Sequence, residues 1–123
     1  MSSTKTIKAV KSFTVKRSQW GRGAKKTAGA LLDKDSGKRC CLGFLARACG
    51  VPDEECEDQP DLISVDLETV LPSALFEEDP ENCDTPHSIA MELNDGDKYV
   101  GKRREAKLRE IFRKAGIRVN FVD

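Results

Sequence analysis

The chain has 123 residues, 38% hydrophobic and 34% charged, enough for one domain with a core of its own. Its longest apolar runs fall well short of the roughly 18–20 residues that span a bilayer. Its 21 Lys and Arg balance 21 Asp and Glu, but by segments: residues 1–50 carry a net +10, residues 51–97 hold sixteen acids and not one Lys or Arg, and residues 98–123 carry +6.

Residues 6–15 are rich in β-formers, and Ile7, Ala9, Lys11, Phe13 and Val15 alternate onto one mostly apolar face, which predicts a strand. A basic loop follows, with Arg17, Trp20, Arg22, Lys25 and Lys26, and then a short apolar stretch, Ala28–Leu32. Asp33-Lys34-Asp35-Ser36-Gly37 reads as a turn, with hairpin geometry around it possible. From Arg39 to Cys49, residues Cys41, Leu42, Leu45, Ala46 and Cys49 fall on one helical face, and Gly50 and Pro52 stop the helix. Gly43 inside it costs ~1 kcal/mol relative to Ala, which predicts close packing against another backbone. Leu62, Ile63, Val65 and Leu67 fit either a short strand or an irregular apolar rib, and Pro72 opens a short helix to Phe76. Asp84 or Thr85 caps a helix with Pro86 in its first turn, an apolar face of Ile89, Ala90 and Leu93, and an end at Asn94–Asp97. Lys102–Ala115 carries Leu108, Ile111, Phe112 and Ala115 on one stripe. Gly116 ends that helix, and Ile117, Val119 and Phe121 alternate as a half-buried strand. The expected fold class is a small α+β domain spanning residues 1–123. In it a short sheet is packed by a central helix and a C-terminal helix–strand unit around Val10, Phe13, Leu31, Leu32, Leu42, Leu45, Leu93, Leu108, Ile111, Phe112, Val119 and Phe121.

Five cysteines, Cys40, Cys41, Cys49, Cys56 and Cys83, with no apolar signal segment after Met1, predict reduced thiols and a cytoplasmic setting. Cys40 and Cys41 open a helix, a position that stabilises a thiolate, with Arg39 beside them. His87 is the single histidine, so a Cys–His pair must use it. The bland reading packs both cysteines in the core and leaves His87 on the surface, and it is preferred. Cys83 and His87 lie four apart, but no Cys-x-x-Cys knuckle accompanies them, so no metal site, cofactor or catalytic residue is expected. The Asn94-Asp95-Gly96-Asp97 stretch lacks the later ligands of a calcium loop and reads as a turn.

Trp20, set among Arg17, Arg22, Lys25 and Lys26, either anchors its loop in the core or offers a face on which a nucleotide base stacks while the cations hold its phosphates. Lys102, Arg103, Arg104 and Lys107 read as the solvated face of a helix. The acidic middle has three readings: it pairs with the chain's own basic ends, it presents a surface to a basic partner, or part of it is a flexible solubilising loop.

Trp20-Gly21-Arg22-Gly23, then Gly37-Lys38-Arg39-Cys40-Cys41-Leu42-Gly43-Phe44-Leu45, then Leu93-Asn94-Asp95, Arg104-Glu105, Ile111-Phe112 and Gly116-Ile117-Arg118-Val119-Asn120-Phe121-Val122 together resemble a family of small uncharacterised proteins encoded by bacteriophages and prophages. Cys-Cys-Leu-Gly-Phe is the most specific mark, and the resemblance runs over nearly the whole chain. It carries over no catalytic residue. It implies a setting, an accessory phage product working in the cytoplasm of a bacterial host, of the kind that takes over the host or blocks its defence as an anti-CRISPR protein does. The function expected is non-enzymatic binding of a host protein, one that itself binds nucleic acid being a good fit, through the acidic residues Asp53, Glu54, Glu55, Glu57, Asp58, Glu77, Glu78 and Asp79. The alternative is a module that sequesters a nucleotide or other anion at Arg17, Trp20, Arg22, Lys25 and Lys26.

Overall fold

The computed structural model describes residues 7–23, 30–78, 84–96 and 98–123. Lys25, Lys26, Asp79 and Cys83 of the expected sites lie outside them. The first regular element is a strand, β1 (Ser12–Lys16), and the last is another, β2 (Arg118–Val122). They pair in parallel, Ser12 opposite Arg118 and Lys16 opposite Val122. Parallel neighbours need a long crossover, and here all the described helices lie within it. Phe13, Val15, Val119 and Phe121 point to the core, while Ser12, Thr14, Lys16, Arg118, Asn120 and Val122 point outward. The strand expected from residue 6 is shorter than the alternation predicts, because its partner begins at Arg118 and offers no ladder further upstream. Residues 7–11 lie outside the sheet, and Lys8 donates its N–H to the Cys49 carbonyl (2.9 Å).

Four α-helices are described: α1 (Cys41–Ala48), α2 (Asp53–Cys56), α3 (Pro86–Asp95) and α4 (Gly101–Lys114). With the two strands they make an α+β fold around one hydrophobic core. The face read from the sequence of α1 is buried, and so are Gly43 and Phe44. The reason lies in Gly43, where an added Cβ would stand 1.9 Å from the Leu31 carbonyl oxygen. The 31–32 stretch thus lies directly on α1, and burying Leu31, Leu42 and Leu45 completely stabilises the fold by about 1.5–3 kcal/mol per side chain. The turn before α1 closes on itself: Asp33 accepts from Ser36 N–H (3.1 Å) and Oγ–H (2.6 Å), and Gly37 sits at φ +75°. Its flanks form isolated bridges, Leu32 with Glu57 and Trp20 with Arg39, in place of a hairpin.

Residues 62–75 form three 3-10 turns, Ile63–Val65, Leu67–Thr69 and Ser73–Leu75, so the apolar rib is the correct reading of this stretch and the strand is not. Asp66 at φ +62° breaks the extended run that a strand requires. Thr85 caps α3, its Oγ1 accepting from Ser88 N–H (3.1 Å) with Pro86 in the first turn. On α4 the stripe Leu108, Ile111, Phe112 and Ala115 is buried, and Phe13 meets Phe112 edge-on with ring centres 5.1 Å apart. Val10, Leu32 and Leu93 of the expected core are only partly buried. No helix of the described residues is long and apolar enough to cross a membrane.

Candidate functional site

Motif residues far apart in sequence meet at one polar knot. Asn94 is fully buried near the end of α3. Its Oδ1 accepts from the Trp20 indole N–H (2.7 Å) and the Cys41 N–H (2.9 Å). Its Nδ2 donates to the Gly21 carbonyl (3.0 Å) and to Asp95 Oδ1 (2.9 Å), and its own carbonyl accepts from Gly23 N–H (2.7 Å). One side chain thus takes up an otherwise unmatched donor at the start of α1 and pins the Trp20 loop to α3. Arg104 closes the next layer, donating to the carbonyls of Leu93 (3.2 Å) and Gly96 (2.7 Å) at the C-terminal end of α3, where a cation opposes the helix dipole. Beside it Glu105 accepts from the Nε–H and an Nη2–H of Arg17, both at 2.8 Å. Hydrogen bonding and attraction to Arg17 hold the Glu105 carboxyl below its ordinary range, while burial pushes the Asp95 carboxyl up.

Of the two readings of Trp20, the geometry agrees with the one that anchors its loop in the core. Its ring is 3% exposed, Phe121 packs on it at 5.0 Å, and the Arg22 guanidinium lies 4.4 Å from its centre. Arg22 is further held by the carbonyls of Arg17 (3.3 Å) and Trp20 (3.2 Å), and Arg17 by Glu105 and by Asp123 (3.0 Å). No face of the indole is left for a base, and two of the loop's cations are spent internally.

The cysteines follow the bland reading. Cys40, Cys41, Cys49 and Cys56 are free and buried. Burial pushes the Cys40 thiol up to about 12 and raises Cys41 well above the ordinary thiol value, so desolvation outweighs the helix N-terminus. His87, expected at the surface, is in fact 4% exposed. Leu62 N–H donates to its Nε2 (3.4 Å) and Phe76 packs on its ring at 5.2 Å. Burial lowers its pKa, which favours the neutral ring that accepts that hydrogen bond. No cluster of three or more His, Cys, Asp or Glu suited to a metal ion occurs among the described residues.

Residues 53–78 of the acidic stretch are folded onto the core. Cys56, Leu62, Val65, Leu67, Leu71 and Leu75 are buried beneath it. Several of its acids serve local structure. Asp53 binds the Arg39 guanidinium (2.8 Å), Asp58 turns the chain at φ +56°, and Asp61 accepts from Ser64 N–H (2.9 Å). Glu54, Asp66, Glu77 and Glu78 are exposed, while Glu55 and Glu57 are partly buried. The set is carried on two supports, since α2 touches α1 whereas the 73–75 turn before Glu77 touches α3 and α4.

Ion pairs in the structure include Arg17–Glu105, Arg17–Asp123, Arg109–Glu105, Lys107–Glu110 and Arg39–Asp53. Four of these five lie within or between the basic ends, and Arg39–Asp53 joins the acidic stretch to the first of them.

Sequence reasoning misses the knot, since Asn94 reads as part of a turn and Arg104 as solvated. The signal was present in the spacing. Arg104 and Glu105 stand four and three residues before Leu108 on the buried stripe of α4, and His87, Ala90 and Asn94 follow one another at i, i+3 and i+7 on α3. Comparison of the chain with family models, curated proteins and solved structures finds no match.

Proposed function

We propose that this chain is a non-enzymatic binding protein of phage or prophage origin that acts inside a bacterial host, a defence protein being the favoured target. It docks the acidic stretch Asp53–Glu78 onto a basic surface of that protein. The observation that carries the reading is an acidic stretch anchored by buried Cys56, Leu62, Val65, Leu67, Leu71 and Leu75 with Glu54, Asp66, Glu77 and Glu78 turned outward. A pre-ordered acidic surface loses little conformational freedom on docking, and its field speeds encounter with a basic partner. A host protein whose basic surface ordinarily carries nucleic acid fits this chemistry, because carboxylates at fixed positions compete with phosphates for the same Lys and Arg. The buried, raised thiols and the internal role of Trp20 agree with binding in preference to catalysis or base capture.

The test is capture from bacterial lysate by the native chain and by a Glu54→Lys/Glu77→Lys/Glu78→Lys variant, whose changes fall on exposed side chains. The expected result is a partner retained by the native chain, displaced by added DNA and lost by the variant at unchanged thermal stability. Equal capture by both proteins removes the acidic surface from consideration.

A further inference from the structure

A groove of about 840 Å³ runs between the outer face of α4 and the first residues of both strands. Its lining includes Lys11, Arg109, Arg113 and Arg118 and not one acid. These cations are far apart in sequence, and the parallel pairing of β1 with β2 brings them together: Arg118 donates its N–H to the Lys11 carbonyl (2.8 Å), and Arg109 and Arg113 lie one turn apart on α4. All four are exposed. Lys11, Arg113 and Arg118 form no ion pair with the described residues. Glu105, 3.7 Å from Arg109, already accepts two hydrogen bonds from Arg17, one to each carboxylate oxygen.

A cation near the end of a helix is ordinarily explained by the helix dipole, and that accounts for Arg113. It does not account for Lys11 or Arg118, which come from the strands, nor for Arg109, a full turn further back. The negative end of α4 is also muted, since Ala115 and Ile117 donate to the Phe112 carbonyl (both 3.0 Å) and Gly116 to that of Arg113 (2.9 Å). We infer that this groove is an anion-binding site that takes the phosphodiester backbone of a nucleic acid. Guanidinium forks match phosphate oxygens in pairs. Gly116 has open space where a side chain would stand, so a backbone can approach closely. No aromatic residue lines the groove, so bases find no stacking platform and binding is independent of sequence. An acidic protein segment is the competing occupant, and it offers single carboxylates in place of a continuous row of phosphates for the two guanidinium forks of α4 and the one of β2.

The inference is independent of the acidic docking surface and is tested on the intact chain by fluorescence anisotropy with a labelled duplex oligonucleotide. Four phosphate contacts predict a slope of about 3.6 for log Kd against log salt, an affinity loss of about 150-fold between 50 and 200 mM. Arg113→Ala/Arg118→Ala, two exposed changes, halves the slope, leaving a loss of about twelvefold over the same range. Lys102→Ala/Arg103→Ala, on the same helix but outside the groove, leaves the slope unchanged, and native stability of each variant is checked by its melting temperature. Three results each overturn the proposal: no binding at 50 mM salt, a slope that falls with the Lys102/Arg103 pair in place of the Arg113/Arg118 pair, or polyglutamate displacing the oligonucleotide as effectively as unlabelled duplex.

Discussion

Replacing Asn94 with alanine tests whether the polar knot holds the fold. The side chain is fully buried, and its removal strands three groups: the Trp20 indole N–H, now at 2.7 Å from Oδ1, the Cys41 N–H at 2.9 Å, and the Gly21 carbonyl at 3.0 Å from Nδ2. A buried polar group without a partner costs about 1–3 kcal/mol. Water entering the vacated volume recovers part of that, so the expected loss is about 3–6 kcal/mol, a large share of the roughly 5–15 kcal/mol that stabilises a domain. For a chain of this length the melting temperature should fall by about 10–20 °C. Urea unfolding followed by circular dichroism gives the free energy directly. The single Trp20 adds a local probe, because loss of its hydrogen bond changes the indole emission before unfolding. The Trp20→Phe variant loses the donor but leaves Asn94 its other partners, so the double variant should lose less than the two single losses added together. A loss below 1 kcal/mol in Asn94→Ala, or strict additivity with Trp20→Phe, refutes the reasoning.

Two further outcomes follow from burial. Gly43→Ala, which in an exposed helix stabilises by ~1 kcal/mol, should here destabilise by about 1–3 kcal/mol, because the new Cβ would stand 1.9 Å from the Leu31 oxygen and 2.8 Å from its carbonyl carbon; a neutral or stabilised variant in urea unfolding contradicts that close approach. His87 has a folded pKa below the ordinary 6.5, through burial that outweighs the pull of Asp61 and Glu68. The unfolded chain then binds the proton more readily, so the contribution of His87 is intact above pH 6.5 and is lost as pH falls through the folded value. Stability measured at pH 7.5 and 5.5 should drop on acidification, and His87→Gln, which still offers an acceptor to Leu62 N–H, should drop less; equal drops exclude His87 as the titrating group.

The elements with strong periodicity were legible in the sequence. The buried face of α1, the Thr85 cap with Pro86, and the α4 stripe followed by Gly116 and β2 all appear where apolar spacing and turn chemistry put them, because those signals are local. Gly43 was legible for a further reason: a glycine on a buried helical face has few purposes other than close approach. What spacing could not show was pairing. Nothing local states that residues 12–16 lie parallel to residues 118–122, and so the joining of Lys11 to Arg118, and with it the basic groove, is invisible until the chain is folded. The buried polar residues were missed because Asn94, Arg104 and His87 belong to types usually found outside. Their burial depends on partners up to 74 residues away, such as Trp20 for Asn94.

The charge segregation gains a physical meaning from these pairings. Arg17 reaches Glu105 and Asp123 across 88 and 106 residues, tying the first basic segment to the second. Arg39–Asp53, at 2.8 Å, joins the middle to the first basic segment, and Asp95 feels the charge of Arg104 on the second. Exposed pairs contribute about 0–1 kcal/mol each, so stability alone gives weak reason to keep sixteen acids in one stretch with no Lys or Arg among them. The proposed recognition of a basic partner gives a stronger one. A chain of zero net charge has no long-range monopole to draw it to any one partner, but separated acidic and basic surfaces orient it as it approaches. With screening over about 10 Å at 0.1 M salt, each surface acts on what lies immediately before it, so the two proposed contacts, an anion in the Lys11–Arg118 groove and a basic protein at the acidic stretch, do not depend on each other.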